Sequence, residues 1–537
     1  MKKFPALVVS LFACVAAYAA GPLDAVDRAI SAIGGASSLG GIKTFSGQGT
    51  AKHWDPEQSF QAGGEKRFAG DSSFTDTRDF AAKAARIDWQ RKLVYPDTVL
   101  SGSHLYGYSE IFVEGGGFVN GIDSFARTKR SRDANPPGHG MSKLRTAIAE
   151  RELVRTSPRL LADMRANAGK LAAMPDTRVG ADKLTSVKYN SAAGDLIVMF
   201  DRKTGLPARI RTLDYDFVQG DSNFDLVLGD WREAGGVKFP HRQAYQLNGT
   251  DVSEFLYRSV QFNAPVPGNF YEVSAALRAA VPSGAPKVLP AHYFQWMTRR
   301  QYYGGLLDDD RVAYDPATSP GWRLIEISPR IQHVRGSSAN SMIVEMQDYL
   351  IVVDSPLSDE QSRWTIEAAH KRYPGKPIRY LALTHHHNDH VGGLRSYVSE
   401  GAILVVGPGT SAHYRKILSA AHTRNPYLPQ AIKTTRIQEV TDHVVITDGS
   451  NSFGLYVVDN THVAGMLMGY LPDARLAYVT DIWAPGFDLR QPLTDKLSPT
   501  QAAIVNTVRK FALQPERFIG GHGVDANYSD LTRLYGK

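Results

Sequence analysis

The chain has 537 residues and a formal net charge of +7, from 61 basic and 54 acidic side chains. Hydrophobic residues make up 43% and charged residues 21%, a composition typical of globular proteins that excludes a disordered or collagen-like chain. This length predicts at least two domains. The only cysteine, Cys14, excludes a disulfide scaffold and a cysteine-rich zinc site.

The first residues have the pattern of a secretory signal peptide. A short basic start precedes a mostly apolar stretch over residues 5–15, and Ala17-Tyr18-Ala19 is a small-x-small cleavage pattern. The apolar stretch is shorter than the about 20 residues that a membrane-spanning helix needs, and we expect no transmembrane segment. We therefore predict a signal peptide over residues 1–19 and a periplasmic or secreted protein. The alternatives are a buried N-terminal helix and a lipoprotein modified at Cys14.

Residues 20–280 are predicted to form an α+β domain with a largely antiparallel sheet. Helical spacing indicates helices over residues 24–33 and 143–166. Period-two runs separated by glycine-rich turns predict strands at 44–52, 85–94, 208–214, 224–231, 237–247 and 252–262. The pattern is similar to the curved sheets of periplasmic lipoprotein-carrier proteins, a similarity that no short motif carries.

A proline-rich, irregular linker is predicted over residues 281–321. From residue 322 to 537 apolar strands and helices alternate, which predicts a layered α/β domain. The predicted strands are 341–346, 349–353, 378–383, 402–406, 453–458, 466–471, 475–480 and 517–519. The predicted helices are 360–372, 392–398, 410–421 and 499–512.

The residues that carry chemistry follow an apolar strand, in the sequence Thr-His-His-His-Asn-Asp-His-Val-Gly-Gly at 384–393. Four potential metal ligands lie within six residues: His385, His387, Asp389 and His390. Residues i and i+2 of an extended chain project to the same side, so His385 and His387 can bind one ion. Buried imidazoles without partners would cost about 1–3 kcal/mol each, which favours metal binding over a packed histidine cluster.

This His-x-His-x-Asp-His pattern resembles the signature of the metallo-β-lactamase superfamily, whose members have an αββα-sandwich fold. Asp354, at the end of a predicted strand, matches the structural aspartate that orders the metal loop in that family. Three further positions match metal ligands of the family, in the family's order and each after a predicted strand: His462, Asp481 and His522. The resemblance covers about 215 residues at the C-terminus.

The resemblance implies a dinuclear metal centre. One ion would be held by His385, His387 and His462, a second by Asp389, His390 and His522, with Asp481 bridging both. Two Zn²⁺ ions are the expected cofactors, and Fe or Mn fits the same donors. Two ions about 3.5–4 Å apart would hold a bridging hydroxide that attacks the substrate. Asp389 is the candidate catalytic residue, which would orient the nucleophile and take its proton.

The predicted function is therefore an exported metal-dependent hydrolase of an ester, lactone, amide or phosphoester. The bridging Asp481 and a mature chain without cysteine resemble the glyoxalase II and lactonase branches of the family more than its β-lactamases. Three alternatives stay open: a mononuclear-iron oxidoreductase similar to persulfide dioxygenases, a β-lactamase, and a carrier or binding protein that uses the N-terminal sheet. We expect a small-molecule substrate and no nucleic-acid partner, and a homodimer is left open.

Overall fold

The computed structural model describes residues 21–95, 104–123, 138–280, 294–302, 323–335, 339–429, 432, 434–485 and 496–535. The predicted signal peptide at 1–19 and Cys14 lie outside these residues, as does most of the predicted linker at 281–321. Among the helices of the described residues, none is both long and apolar enough to cross a membrane.

The N-terminal half folds, within its described residues, into one antiparallel sheet of 13 strands in the order β6-β5-β4-β3-β2-β1-β13-β12-β11-β10-β9-β8-β7. The strands are β1 (Thr44–Asp55), β2 (Arg67–Asp79), β3 (Ala84–Leu93), β4 (His104–Val113), β5 (Gly116–Gly121), β6 (His139–Gly140), β7 (Leu171–Val179), β8 (Asp182–Ser191), β9 (Gly194–Asp201), β10 (Pro207–Asp216), β11 (Gly220–Ala234), β12 (Val237–Leu247) and β13 (Thr250–Phe262). The helices are α1 (Pro22–Ile33), α2 (Ala36–Gly40), α3 (Lys143–Arg155), α4 (Leu160–Ala166) and α5 (Ala275–Ala279). This confirms the predicted α+β domain with a largely antiparallel sheet.

The N-terminal core lies between one face of this sheet and the helices α1 and α4. Side chains alternate along β1, with Phe45 buried at 1% exposure and its neighbours more exposed, as expected for a strand with one covered face. Tyr257 packs against Phe45 at 6.3 Å between ring centroids, and Phe74 packs against Tyr257 at 5.0 Å and against Phe255 at 5.5 Å. Burial of such aromatic side chains is the main favourable term that holds this domain together.

Local predictions in this half differ from the structure in the extent of one helix and in the number of strands. The predicted helix over 143–166 is two helices, because Pro158 lies between α3 and α4 and cannot continue a helical hydrogen-bond ladder. Seven of the 13 strands, β2 and β4–β9, were not predicted. In β2 the alternation is weak because several buried positions carry polar residues, among them Ser72, Asp76 and Arg78. Arg78 donates to Asp76 at 2.6 Å, so this buried polar pair hides the alternation of the strand.

Within the segment predicted to be an irregular linker, residues Phe294–Tyr302 form a helix, α6. Trp296 and Met297 are buried at 2% and 1% exposure. Arg299 on the same helix contacts Asp55 at 3.5 Å, Glu57 at 3.1 Å and Asp216 at 2.8 Å. The helix forms because apolar burial and these ion pairs compensate for the weak local pattern.

The C-terminal half, within its described residues, contains two mixed sheets and the helices that cover them. The first sheet is β14 (Arg323–Ser328), β15 (Ile331–Arg335), β16 (Ser341–Glu345), β17 (Leu350–Val353), β18 (Ile378–Ala382), β19 (Ile403–Val406) and β20 (Ile437–Glu439), in that order. The second is β21 (His443–Thr447), β22 (Ser452–Val458), β23 (Met466–Leu471), β24 (Leu476–Val479), β25 (Arg517–Gly520) and β26 (Asp525–Asn527), in that order. The helices are α7 (Asp359–Arg372), α8 (Asn388–Val391), α9 (Leu394–Glu400), α10 (Ser411–Ser419), α11 (Pro499–Lys510) and α12 (Ser529–Thr532).

The two sheets pack face to face and the helices cover their outer faces. Ile351 of the first sheet and Leu467 of the second belong to one buried cluster between the sheets. The outer face of the first sheet packs against α7, α9 and α10, and that of the second against α11. These four layers are the αββα sandwich that the resemblance implied, and that prediction is confirmed.

Candidate metal centre

Each predicted ligand lies in the segment that follows a strand of the sandwich, and Asp389 and His390 lie in the short helix α8 of such a segment. The motif at 385–390 follows β18, whereas His462 follows β22, Asp481 follows β24 and His522 follows β25. Loops after strands of a layered sheet are a usual place for functional groups. The structure brings all seven predicted ligands together in two adjoining groups.

The first group is His385, His387, His462 and Asp481, whose ligand atoms all lie within 4.8 Å of one another. The rings of His385 and His387 are 4.5 Å apart between centroids, as their alternate positions predicted. The ring of His462 lies 4.9 Å from that of His387. The three imidazoles are at most 1% exposed, so this group is the enclosed side of the centre.

The second group is Asp389, His390, Asp481 and His522, and it shares Asp481 with the first. Oδ2 of Asp481 lies 2.9 Å from Nε2 of His385 and 3.0 Å from Nε2 of His390. Oδ1 of Asp481 lies 2.9 Å from Nε2 of His522. The side chains of Asp389 and His522 are 23% and 24% exposed, so the centre opens to solvent on the side of the second group.

Asp354, in the loop after β17, anchors the motif loop. Its carboxylate accepts hydrogen bonds from the backbone N–H of Thr384 at 2.8 Å and from the Thr384 hydroxyl at 2.9 Å. It also lies 3.0 Å from Nδ1 of His390. Asp354 and Asp481 have φ values of 61° and 54°, a left-handed conformation that aspartate tolerates better than most residues and that often occurs at functional sites.

The electrostatics of the two groups differ. Burial, helped by the charge of His385, lowers the pKa of His387 well below its usual value, which keeps the imidazole neutral and able to bind a metal. Burial opposes charge on His522 too, but Asp481 and Asp389 raise its pKa to about 10. Burial alone would raise the pKa of Asp481, whereas His390 and His522 hold it well below its ordinary range. In the metal-free chain, imidazolium charge therefore lies where the second group would hold a cation.

The donor atoms fit metal ions. Nδ1 of His387 is buried without a hydrogen-bond partner among the described residues. Nε2 of His385 and Oδ2 of Asp481 are also buried and lie 2.9 Å apart. Buried polar atoms without partners are costly, and a metal ion would satisfy them. Imidazole and carboxylate donors are those that Zn²⁺, Fe and Mn accept, although metal binding by these residues stays a prediction.

Residues of the N-terminal domain also reach the centre, and the sequence did not predict them. Gln58 hydrogen-bonds to Asp389, the carbonyl oxygen of Ser59 accepts from His387, and Tyr95 stacks on His462. Gln58 and its partner Asn388 are separated by 330 positions. An amide, a backbone carbonyl and a phenol form no metal-binding pattern, so no signal in the sequence pointed to them.

Comparison with known proteins identifies the C-terminal domain. A family model described as the Metallo-beta-lactamase superfamily matches residues 334–522, a range that contains all seven predicted ligands. Residues 334–522 therefore match this superfamily, as the resemblance of the ligand motif implied. The match does not reach the N-terminal domain, whose similarity to lipoprotein-carrier sheets stays a prediction.

Individual relatives match parts of the chain. An alkyl/aryl-sulfatase, BDS1 of Saccharomyces cerevisiae, is 30% identical over 91 residues, which are 16% of this chain and 14% of that protein. A hydroxyacylglutathione hydrolase of Brucella anthropi is 26% identical over 166 residues, 29% of this chain and 52% of that protein. The solved structure of a metallo-beta-lactamase from Pontibacter korlensis aligns with a TM-score of 0.31 and 15% identity, over 40% of this chain and 100% of its own. The chain thus spans about half or less of these curated relatives.

Proposed function

We propose that this protein is a two-metal hydrolase. The observation that carries the proposal is the position of Asp481, which has one carboxylate oxygen 2.9 Å from His385 and the other 2.9 Å from His522. His385 belongs to the first ligand group and His522 to the second. A carboxylate that contacts both groups suits the shared ligand of two ions, whereas a single ion would not require it.

The first ion would be held by His385, His387 and His462, and the second by Asp389, His390 and His522, with Asp481 common to both. When bound, such ions supply a water acidified to a pKa near 7 and polarise the substrate oxygen. Zn²⁺ is the ion we propose for both positions, and Fe or Mn suits the same donors.

Asp389 is the residue that we propose to handle the proton. Burial alone would raise its pKa, but the charges of His390 and His522 lower it, so the carboxylate is ionised and can accept a proton from water. Its 23% exposure leaves it open to solvent, unlike the nearly fully buried imidazoles of the first group. Asp354 and Thr384 would keep the loop that carries Asp389 in place during this transfer.

An ester is the substrate class we favour, and alkyl sulfates are the first probes. The reaction would add one water across the ester bond and release an alcohol and an acid. The support is the partial similarity of the chain to an alkyl/aryl-sulfatase and to a hydroxyacylglutathione hydrolase. Lactones, amides, phosphoesters and β-lactams belong to the same test.

We also propose export to the periplasm or beyond, on the signal-peptide pattern of residues 1–19 alone. Cell fractionation followed by N-terminal sequencing would test this. A mature start near residue 20 supports cleavage by signal peptidase, an acylated Cys14 at the N-terminus supports the lipoprotein alternative, and an intact Met1 contradicts export.

Metal analysis and a substrate panel test the function together. The purified full chain should contain two transition-metal ions per molecule by mass spectrometry of the metal. It should hydrolyse at least one member of a panel of alkyl sulfates, carboxylic esters, lactones, phosphodiesters and β-lactams. One iron per chain with no hydrolysis would contradict the proposal and favour the mononuclear oxidoreductase.

Replacement of Asp389 tests its role directly. Asp389→Ala should lower turnover by about 10²–10⁴-fold, the range typical of proton-transfer groups, and should reduce metal content toward one ion per chain. Asp459→Ala is the matched control, because Asp459 is exposed and lies three residues before His462 without belonging to either group. Unchanged turnover with two ions in Asp389→Ala would contradict the assignment.

A further inference from the structure

The connection between β1 and β2, residues 56–66, lies against the metal centre of the other domain. We call it the β1–β2 loop. The carbonyl oxygen of Phe60 in this loop accepts a hydrogen bond at 2.8 Å from the backbone N–H of Ala464, two residues after His462. Arg67, at the start of β2, donates to the carbonyl oxygen of His462 at 2.8 Å. The loop is therefore bound directly to the loop that carries a predicted ligand.

Gln58 makes the central contact. Its side-chain Nε2 donates to Oδ1 of Asn388 and to Oδ1 of Asp389, each at 2.8 Å. Its Oε1 accepts a hydrogen bond from the Tyr95 hydroxyl. The Asp389 carboxylate accepts from Nε2 and the Tyr95 hydroxyl donates to Oε1, so both contacts agree on the orientation of the Gln58 amide. Both donors and the acceptor of Gln58 are thereby engaged.

With this contact, the two carboxylate oxygens of Asp389 have different partners. Oδ1 faces Gln58, while Oδ2 lies 3.4 Å from Nε2 of His522 and 3.6 Å from Nε2 of His390. Asp389 without Gln58 would be free to rotate about its side-chain torsion and to bind through either oxygen. The amide therefore selects one orientation of a carboxylate in the second ligand group.

The next residue of the loop orients a ligand of the first group. The carbonyl oxygen of Ser59 lies 3.0 Å from Nε2 of His387 and 3.0 Å from Nε2 of His386. A carbonyl can only accept, so it selects the tautomer of His387 that carries hydrogen on Nε2 and leaves the lone pair of Nδ1 facing the group. Tyr95 stacks on the ring of His462 at 6.5 Å, and Arg67 lies 4.8 Å from the ring of Tyr95.

From this geometry we infer that the N-terminal domain completes the metal centre, with Gln58 as a positioning residue that orients Asp389 for the second ion. The inference rests on the proposed two-metal function. Hydrogen-bond partners of metal ligands typically contribute about 10–100-fold in metal affinity or activity. Loss of the Gln58 amide should therefore weaken the second ion and leave the first nearly unchanged, a difference that a purely structural role of the loop would not produce.

The test uses the full chain, stripped of metal and titrated with Zn²⁺ against a chromophoric chelator and with Co²⁺ by visible absorption. Gln58→Met keeps the side-chain length but removes the amide, and Gln61→Met makes the same change at an exposed position of the same loop. We expect Gln58→Met to weaken the second ion by about 10–100-fold, to change the Co²⁺ spectrum of that ion and to lower kcat more than it raises KM. Gln61→Met should match the unchanged protein.

Two outcomes would overturn the inference in different ways. If the wild-type protein binds only one ion, both the proposed function and the inference are wrong. If the unchanged protein takes up two ions and a folded Gln58→Met binds both equally well, only the inference fails. Should Gln58→Met not fold, Tyr95→Phe removes the hydroxyl that holds the Gln58 amide. It should weaken the second ion several-fold, and unaltered affinity there would overturn the inference.

Discussion

The two domains contribute different chemistry to the same centre. The C-terminal domain supplies all the imidazole and carboxylate side chains of the two ligand groups. The N-terminal domain supplies the neutral groups that contact those ligands, namely the Gln58 amide, the Ser59 carbonyl and the Tyr95 ring. Ligands must be of a few residue types at fixed spacing, whereas their hydrogen-bond partners need only a donor or an acceptor. A motif search therefore finds the first contribution and misses the second.

The contact between the two halves combines an apolar cluster, which includes Phe217 and Leu357, with buried polar contacts. Arg395 of α9 has no exposed surface and donates to the carbonyl oxygens of Phe217 at 2.6 Å and Val218 at 2.9 Å in the N-terminal domain. The Tyr215 hydroxyl donates to Asp359 of α7 at 3.3 Å. Buried polar groups are costly unless paired, so each domain leaves groups that the other must satisfy. We expect the two domains to depend on each other for stability.

The largest expected effect comes from Arg299 of α6, whose partner Glu57 also accepts a hydrogen bond at 3.1 Å from Asn388 of the C-terminal half. Arg299→Met should lower the free energy of unfolding by about 3–5 kcal/mol, because Asp55, Glu57 and Asp216 would lose the cation that they share. Denaturant unfolding of the full chain measures this. Arg232→Met is the control, because its partner Asp230 is exposed, and no resolvable change is expected there. An Arg299→Met protein as stable as the unchanged chain would show that the cluster contributes no net stability.

The sequence predicted features that depend on local patterns and missed features that depend on contacts between distant residues. The ligand motif at 385–390 and a layered α/β domain could be predicted because both patterns are local. The αββα layers and the ligands His462, Asp481 and His522 came from the family resemblance of that motif. The bounds of β12, Val237–Leu247, were also predicted, from clear alternation and flanking turns. The strand β2 and the contacts of Gln58 could not be predicted, since both depend on partners distant in sequence. Arg78 of β2 donates to the carbonyl oxygen of Leu153, 75 positions away, and Gln58 donates to Asn388, 330 positions away.

The second prediction, of intermediate size, concerns the loss of folding stability at low pH. Each domain buries a neutral histidine: His53 lies between the hydroxyls of Ser253 at 3.0 Å and Ser72 at 2.8 Å, and His333 contacts the carbonyl oxygen of Gly520 at 2.9 Å. Burial, assisted by Arg335, lowers the pKa of His333 to about 3, and burial, assisted by Arg91, lowers that of His53 well below its usual value. Both folded pKa values lie below the unfolded value of about 6.5.

Stability from these two histidines should therefore be complete above pH 6.5 and decline as pH falls toward the folded pKa values, by about 1.4 kcal/mol per pH unit for each. We expect His53→Gln and His333→Gln each to reduce the stability lost between pH 7 and 5.5. Denaturant midpoints of the metal-free proteins at both pH values measure this. Comparison with the wild-type chain removes the contribution of the other histidines to the pH dependence of stability. A variant with the unchanged pH dependence would show that folding does not shift the pKa of its histidine.

The smallest effect gives the most direct test of whether the domains unfold together. Gly249, in the turn between β12 and β13, and Gly409, between β19 and α10, have φ values of 88° and 76°. A Cβ at either position meets no atom within 4 Å among the described residues, so alanine would add backbone strain of about 1–2 kcal/mol without a clash. Because Arg395 and the β1–β2 loop join the domains, Gly249→Ala and Gly409→Ala should each lower the midpoint of one shared calorimetric transition. Two transitions, each moved by only one of the variants, would show instead that the N-terminal domain completes the metal centre without sharing the stability of the domain that holds it.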